Sequence, residues 1–352
     1  FSNIFIRPLH NNKFPLSEID KNIYDEIIDL SDRFILPSQI LNNLIYEKGI
    51  SNPLIDGLIK QTHVANLKKL INQKELLKIA KLFNENSIDY VFMKGSAIDF
   101  LSHGYVRYSR DLDVLVSKHH LLKAYELLKD IGYSYLNPLV SDSAIFTSQT
   151  HQLPILSNGE GALVEIHHRV TSKSAYKECP LTDLMLKDHL IVTKNKENIR
   201  ISDINYTIAH ITYHAVKHHK YDLGPIFLYD IKYLRDQCKD KDHLTRLLNI
   251  SSLEGDYRKI ANFIDKKNVD DSFEIYRMQQ IKIFNELNPK KFSYLLFTKT
   301  GRLDFWNIIK GRFLFNEDHF QTSRYSFKFY LIIILQVKSH VSRLLKIHRH
   351  NV

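Results

Sequence analysis

The chain has 352 residues, 44% hydrophobic and 25% charged, which is ample for two or three packed cores and excludes a disordered chain. With 11 Gly and 9 Pro a loop-rich all-β fold is disfavoured, and two cysteines, Cys179 and Cys238, exclude a disulfide framework and lack any metal-finger spacing. The formal net charge of +10 is unevenly spread: residues 281–352 hold 13 Lys/Arg against 4 Asp/Glu, so the rest of the chain is close to neutral.

Residues 16–85 read as helical, and no Gly or Pro interrupts the chain between Gly57 and Gly95. In "LKKLINQKELLKIAKLFNENSI" the apolar residues Leu67, Leu70, Ile71, Leu76, Leu77, Ile79, Ala80 and Phe83 recur at close to helical spacing, and 84–87 reads as a break. "YVFM" is a short apolar strand ended by Gly95. Ser96 is a candidate N-cap for "SAIDFLS", with Asp99 three positions on as a capping-box partner. A strand, a Gly-Ser turn and a helix start suit phosphate, because glycine permits close backbone approach and a helix N-terminus offers free N–H groups.

"DLDVLV" reads as the next strand, with Asp111, Asp113 and Leu115 on one face and Leu112, Val114 and Val116 on the other. In "SKHHLLKAYELLKDIGY", Ser117 caps a helix whose inner stripe is Leu121, Leu122, Tyr125, Leu128 and Ile131, and Gly132 ends it. "AIFTS" and "LPIL" read as strands, and His151 falls on the approach to the second. "NGEG" is a turn. "ALVEIHHRV" is a strand with Leu163, Glu165 and His167 on one face. From about Pro180 onward the pattern is helical. The expected organisation is an N-terminal helical region (1–87), an α/β core (88–175) and a C-terminal helical domain (176–352).

Two aspartates two apart on a strand lie about 6.5–7 Å apart and point the same way. Like charges that close are costly to bury unless a cation joins them. Hard carboxylates suit Mg²⁺, and Mn²⁺ takes the same ligands. Glu165 enters from a second strand at similar depth, so Asp111, Asp113 and Glu165 are candidate ligands for a pair of ions. His167 shares Glu165's face and is placed to orient it or meet substrate.

"KGS", "RDLDVLV" and "VEIHHRV" together resemble the nucleotidyltransferase superfamily of the DNA polymerase β type, and within it a bacterial group of nucleotidyltransferases. Lys94-Gly95, Arg107, Asp111, Asp113, and Glu165 with His167 match that group's motifs in turn. "HITYHAVKHHKYDLGPIFLYDIKYL" is similar to its downstream helix through His210, His214, Lys217, His218 and Asp230. The likeness spans about 75–235.

The resemblance implies an α+β polymerase β-type core: a small mixed sheet with flanking helices. It implies Mg²⁺ on Asp111, Asp113 and Glu165, an NTP co-substrate held by Lys94, Gly95, Ser96 and Arg107, and a cleft lined by His167, His210, His214, Lys217, His218 and Asp230. The expected reaction moves a nucleoside monophosphate onto a hydroxyl of a small-molecule, sugar or peptide acceptor and releases pyrophosphate. Two alternatives stand beside it: a toxin-like transferase acting on RNA, which the basic 281–352 region suits, and a nucleotide-binding scaffold without turnover.

His210, His214 and His218 recur every four residues and stack on one helical face. A metalloprotease pattern is absent, because no Glu follows the first His. Seven consecutive apolar residues at 329–335 are too few to cross a bilayer. The basic amphipathic tail behind them suits either packing or peripheral contact with an anionic surface. No transmembrane segment and a reducing, cytoplasmic setting are expected. The first residue is Phe rather than Met, which leaves the native start, and any cleaved signal, open.

Overall fold

The computed structural model describes residues 4–5, 7–10, 13–46, 51–101, 107–136, 151–170, 180–218 and 224–265. All of them belong to one compact unit formed by 1–136 and 151–273; a second unit combines 137–150 with 274–352. The expected strand "AIFTS", the basic region from 281 and the apolar run at 329–335 lie outside the described residues, and with them the RNA and anionic-surface contacts expected of that region. Among the described residues no helix is long and apolar enough to cross a membrane.

The N-terminal region is helical, as its periodicity predicts. Helices α1 (Tyr24–Arg33) and α2 (Pro37–Asn43) lead to the long α3 (Pro53–Glu85). Two short strands, β1 (Phe14–Pro15) and β2 (Leu44–Ile45), pair in parallel beside them. Helix α3 starts where capping chemistry dictates. The Asn52 side chain accepts from the Leu54 and Ile55 N–H groups, and Pro53 occupies the first turn, where its missing N–H costs nothing. Leu76, Ile79, Ala80 and Phe83 are buried on its inner face, whereas Leu67 and Leu70 of the same apolar pattern are exposed. Helix α3 packs on α1, on α2 and on the sheet.

The sheet has seven strands: β3 (Tyr90–Phe92), β4 (Leu112–Val116), β5 (Ser134–Tyr135), β6 (Leu156–Ser157), β7 (Leu163–His167), β8 (His189–Lys194) and β9 (Glu197–Ser202). Their spatial order is β5-β6-β7-β4-β3-β9-β8. It is mixed: β4 runs parallel to β7 and β3 parallel to β9, while the other neighbours are antiparallel. The central strands β3 and β4 are buried along their whole length, which suits their Val, Leu and aromatic content. Phe83, Tyr90 and Phe92 form a chain of edge-to-face rings with centroids 5.4 and 5.6 Å apart, joining α3 to β3.

The α+β class expected from the sequence is what the structure has, with three local differences. The first concerns the helix after β3. It is α4 (Lys94–Leu101), so Ser96 lies inside it rather than capping it. The turn is made instead by Lys94, whose φ of 48° is left-handed, and Met93 O accepts from the Ser96 N–H at 3.1 Å. The second concerns α5 (Leu121–Asp130), which buries Ala124 where Leu122 was expected; Leu122 is 41% exposed.

The third is the hairpin β8–β9, within a stretch read as helical. Its two-residue turn, Asn195 and Lys196, has φ of 51° and 68°, the sign pattern of the turn that matches strand twist. The hairpin extends the same sheet that carries the acidic strands. Beyond it the helical reading holds: α6 (Leu181–Lys187) precedes the hairpin, and α7 (Ile204–Tyr213), α8 (Ile226–Gln237), α9 (Lys241–Ile250) and α10 (Glu254–Asp265) follow.

Polar residues on the inner face of α3 do specific work. Glu75 is 2% exposed and accepts from the Tyr133 hydroxyl at 2.7 Å. Removing that donor leaves a buried carboxylate under-satisfied, so Tyr133→Phe is expected to cost about 1–3 kcal/mol. Urea unfolding checks this; an unchanged midpoint would show that Glu75 finds another donor.

Candidate active site

The acidic strands are adjacent, and their register brings the acids together. Asp113 of β4 is the parallel partner of Glu165 of β7, and Leu115 is the partner of His167. Alternation then puts Asp113, Glu165 and His167 on one face. Their ligand atoms lie within 4.8 Å of one another, and among the described residues they form the group of acids and imidazole able to hold a metal ion.

Asp113 is the buried centre of this group. It is 3% exposed, and its Oδ1 accepts from Lys94 Nζ at 2.6 Å and His167 Nε2 at 2.8 Å. Burial alone would raise the Asp113 carboxyl; the Lys94 charge and the His167 hydrogen bond outweigh it and hold the carboxyl far below the usual range. Lys94 shows the converse. Burial opposes its charge, but Asp113 and Glu165 prevail and its pKa is raised. Glu165 Oε2 is 3.4 Å from His167 Nε2, and its side chain is 13% exposed. Glu165 is therefore the more open acid of the group.

Asp111 stands one residue before β4 and outside the tight group, whereas the sequence pattern put it on the strand beside Asp113. Its carboxylate accepts from Ser109 Oγ at 3.3 Å. Burial, followed by the charges of Asp113 and Glu165, pushes its pKa up to about 6. The third member of the tight group is His167 instead.

The segment leading to Asp111 is tied down at four consecutive residues. Arg107 Nε donates to both Asp230 carboxylate oxygens at 2.9 and 3.1 Å. The Tyr108 hydroxyl donates to Asn66 Oδ1 at 3.2 Å, Ser109 O accepts from Asn72 Nδ2 at 2.9 Å, and Arg110 donates to Asp32 O at 2.9 Å. So Asp230, which the resemblance places in the cleft lining, is paired with Arg107. Lys217 forms an ion pair with Asp256 of α10 at 3.0 Å.

Gly95 has a steric reason to be glycine. A Cβ there would meet Ser109 Oγ at 2.7 Å and Ser109 Cβ at 2.9 Å. The close approach it permits is therefore to the Asp111-bearing segment. Ser96 is buried, and its Oγ has no hydrogen-bond partner among the described residues. It lines a small cavity with Asn72, Asp99, Arg107 and Ser109.

The histidines form a contiguous row. Ring centroids are 5.5 Å apart for His167–His151, 5.2 Å for His151–His218, 5.2 Å for His218–His214 and 6.2 Å for His214–His210. His210 is buried, and burial holds its pKa well below that of free imidazole. Burial, then neighbouring imidazoles, lowers His151 to about 3. The sequence places His151 only on the approach to a strand. Its place in the row comes from the bridge between Gln152 and His167, a tertiary pairing with no local signature.

Asp111 supplies a pH test. Its folded pKa lies above the unfolded value of 3.8, so ionisation between about pH 4 and pH 6 destabilises the fold. Asp111→Asn cannot ionise. Its stability relative to the parent is expected to rise across that window by up to about 3 kcal/mol. Urea unfolding at stepped pH in EDTA measures this, and a pH-independent difference would contradict it. Gly95→Ala is expected to lose about 1–3 kcal/mol by displacing Ser109, measured the same way.

The family model described as uncharacterised nucleotidyltransferase matches residues 40–254, which include Lys94, Asp111, Asp113, Glu165, His167 and the histidine row. A search of curated proteins finds no match. Among solved structures, the lincosamide antibiotic adenylyltransferase LnuA in its lincomycin-bound form is 20% identical, with a TM-score of 0.33, covering 47% of this chain and 97% of that one. An antigenic nucleotidyltransferase-like protein from Paracoccidioides brasiliensis is 14% identical, with a TM-score of 0.35, covering 53% of this chain and 90% of that one. ANT(2")-Ia in complex with adenylyl-2"-tobramycin is 13% identical, with a TM-score of 0.36, covering 53% of this chain and 98% of that one. The family match spans more than half of the chain, with the acidic strands inside it, and the chain belongs to this family of uncharacterised nucleotidyltransferases.

Proposed function

We propose that the chain transfers a nucleoside monophosphate from an NTP to a hydroxyl of a small-molecule, sugar or peptide acceptor and releases pyrophosphate, with a divalent cation at the acidic group. The observation that carries this reading is the buried convergence of Asp113, Glu165 and His167 within 4.8 Å, flanked by Asp111 and Lys94.

The residues fit the cation. Three carboxylates face a single lysine, and the donor set is oxygen-rich, as Mg²⁺ and Mn²⁺ prefer. Asp113 and Glu165 would hold the ion, with Asp111 and His167 beside them. Bound there, the cation offsets phosphate charge where it gathers during transfer. The protein's own groups supply the rest. Glu165, the more open acid, takes the proton of the acceptor hydroxyl. The freed oxygen attacks the α-phosphorus, the bond to the bridging oxygen breaks, and pyrophosphate leaves. Lys94 neutralises charge on the departing phosphates. His151 and His218, whose burial disfavours their charged forms, line the approach to Glu165 together with His214. The buried pair Arg107–Asp230 holds the Asp111 segment in place. Under this reading the 88–175 core works together with helices α7 and α8 of the region assigned to the C-terminal domain.

The test uses the full chain with NTP labelled at the α-phosphate, Mg²⁺ or Mn²⁺, and either a metabolite extract or total RNA as acceptor. Label on small molecules with pyrophosphate release is expected. Label confined to RNA would favour the toxin-like alternative, and nucleotide binding without transfer would favour the scaffold. Glu165→Gln, at a partly open position that tolerates the amide, is expected to lower turnover by about 10²–10³-fold. Undiminished turnover in a folded variant would refute the assignment.

A further inference from the structure

We propose that Lys94 is the resident counter-ion of the acidic group: its ammonium takes the Asp113 oxygen that a divalent cation requires, and it yields that oxygen when nucleotide phosphates arrive to receive it. The proposal rests on reading the group as a metal cage.

Four observations lead there. First, Asp113 Oδ1 accepts from both Lys94 at 2.6 Å and His167 at 2.8 Å. A carboxylate oxygen has two lone pairs, so this one is fully used, and a new ligand at this oxygen must displace a donor. Second, the two donors differ in freedom. His167 is 1% exposed and fixed in β7, in register with β4. Lys94 ends in a rotatable ammonium on a flexible stem, and its side chain is 18% exposed, so it has a way out.

Third, the backbone is shaped to deliver this lysine. Lys94 has a φ of 48° at the strand-to-helix junction, a conformation that side-chain-bearing residues seldom adopt. Such a conformation persists only where the surroundings impose it. Here Met93 N–H bonds Asp113 O at 3.0 Å, locking the junction against the same aspartate. Fourth, charge requires it. Asp111, Asp113 and Glu165 with one ammonium sum to a formal −2, and Arg107 is engaged with buried Asp230. Removing Lys94 would leave three clustered carboxylates to repel one another.

The consequence is coupling. Metal alone must compete with an ammonium that has nowhere better to go; with triphosphate present, the ammonium has anionic oxygens to move to. Metal and nucleotide therefore favour each other's binding, and the linkage passes through Lys94.

The experiment measures Mn²⁺ binding to the full chain by electron paramagnetic resonance, with and without a non-hydrolysable NTP analogue bridged by methylene between the α- and β-phosphates. In the parent protein, Mn²⁺ alone is expected to bind weakly, and the analogue to tighten it at least tenfold. In Lys94→Met, Mn²⁺ alone is expected to bind at least tenfold more tightly than in the parent, with most of the tightening by the analogue lost. The metal-free variant melts lower, and Mn²⁺ restores its melting temperature. Lys94→Gln, which keeps an uncharged donor near Asp113, guards against misfolding and is expected to behave in the same sense.

Metal affinity that is unchanged or weaker in both folded variants overturns the proposal while leaving the cage intact. Absence of Mn²⁺ binding in the parent and both variants, with analogue present, refutes the cage itself and the proposal with it. Glu165→Gln serves as the control, and it is expected to weaken Mn²⁺ in every background.

Discussion

A buried carboxylate at Asp113 is the constraint around which the acid-bearing part of the sheet is arranged. A lone ionised acid at that depth would be prohibitively expensive, so the fold brings it two donors from different elements. Lys94 comes from the start of α4, just after β3, and His167 from β7; β3 and β7 are the two strands flanking β4. Three neighbouring strands are thus cross-linked on one face by one carboxylate oxygen. The same arrangement explains why β3, only three residues long, keeps its position: its C-terminal neighbour Met93 is bonded to Asp113 backbone while Lys94 is bonded to Asp113 side chain.

Around that clasp, Asp111 is set differently although it lies only two residues away. It sits before the strand and takes a hydrogen bond from Ser109, and there burial and its acidic neighbours outweigh the Lys94 and Arg107 charges and drive its pKa the opposite way to that of Asp113. Two carboxylates of near-identical sequence context therefore have opposite electrostatic characters. Asp113 is held in its anionic form, whereas burial and like charges disfavour ionisation of Asp111. The anchoring of residues 107–110 to α8, α3 and the residues that close α1 fixes the distance between the two.

Much of this was legible in the chain before any coordinates. The "DLDVLV" and "VEIHHRV" strands, the helix between them and the face shared by Glu165 and His167 follow from period-two alternation and end signals, which are local. Two kinds of feature were not. The β8–β9 hairpin escaped because its turn carries Lys196 where glycine would announce it, and because "HLIVTK" and "ENIRIS" alternate only weakly on an open sheet face where Ile191 stays 62% exposed. Partner choices escaped because they are tertiary. Nothing near Arg107 in sequence points to Asp230, and nothing near His151 points to His167. Ser96 differs for a related reason: the pattern favours Ser as a cap, but the helix already begins at Lys94, three residues before the start that an N-cap at Ser96 would set.

The hairpin has one further architectural consequence. Strand β3 is hydrogen-bonded on one side to β4 and on the other to β9, which the chain reaches only after residue 197. A fragment cut at the apparent end of the acidic core, near 175, would turn β3 into an unprotected sheet margin at the spot where Lys94 is anchored. A fragment that keeps both of β3's neighbours therefore runs through Ser202.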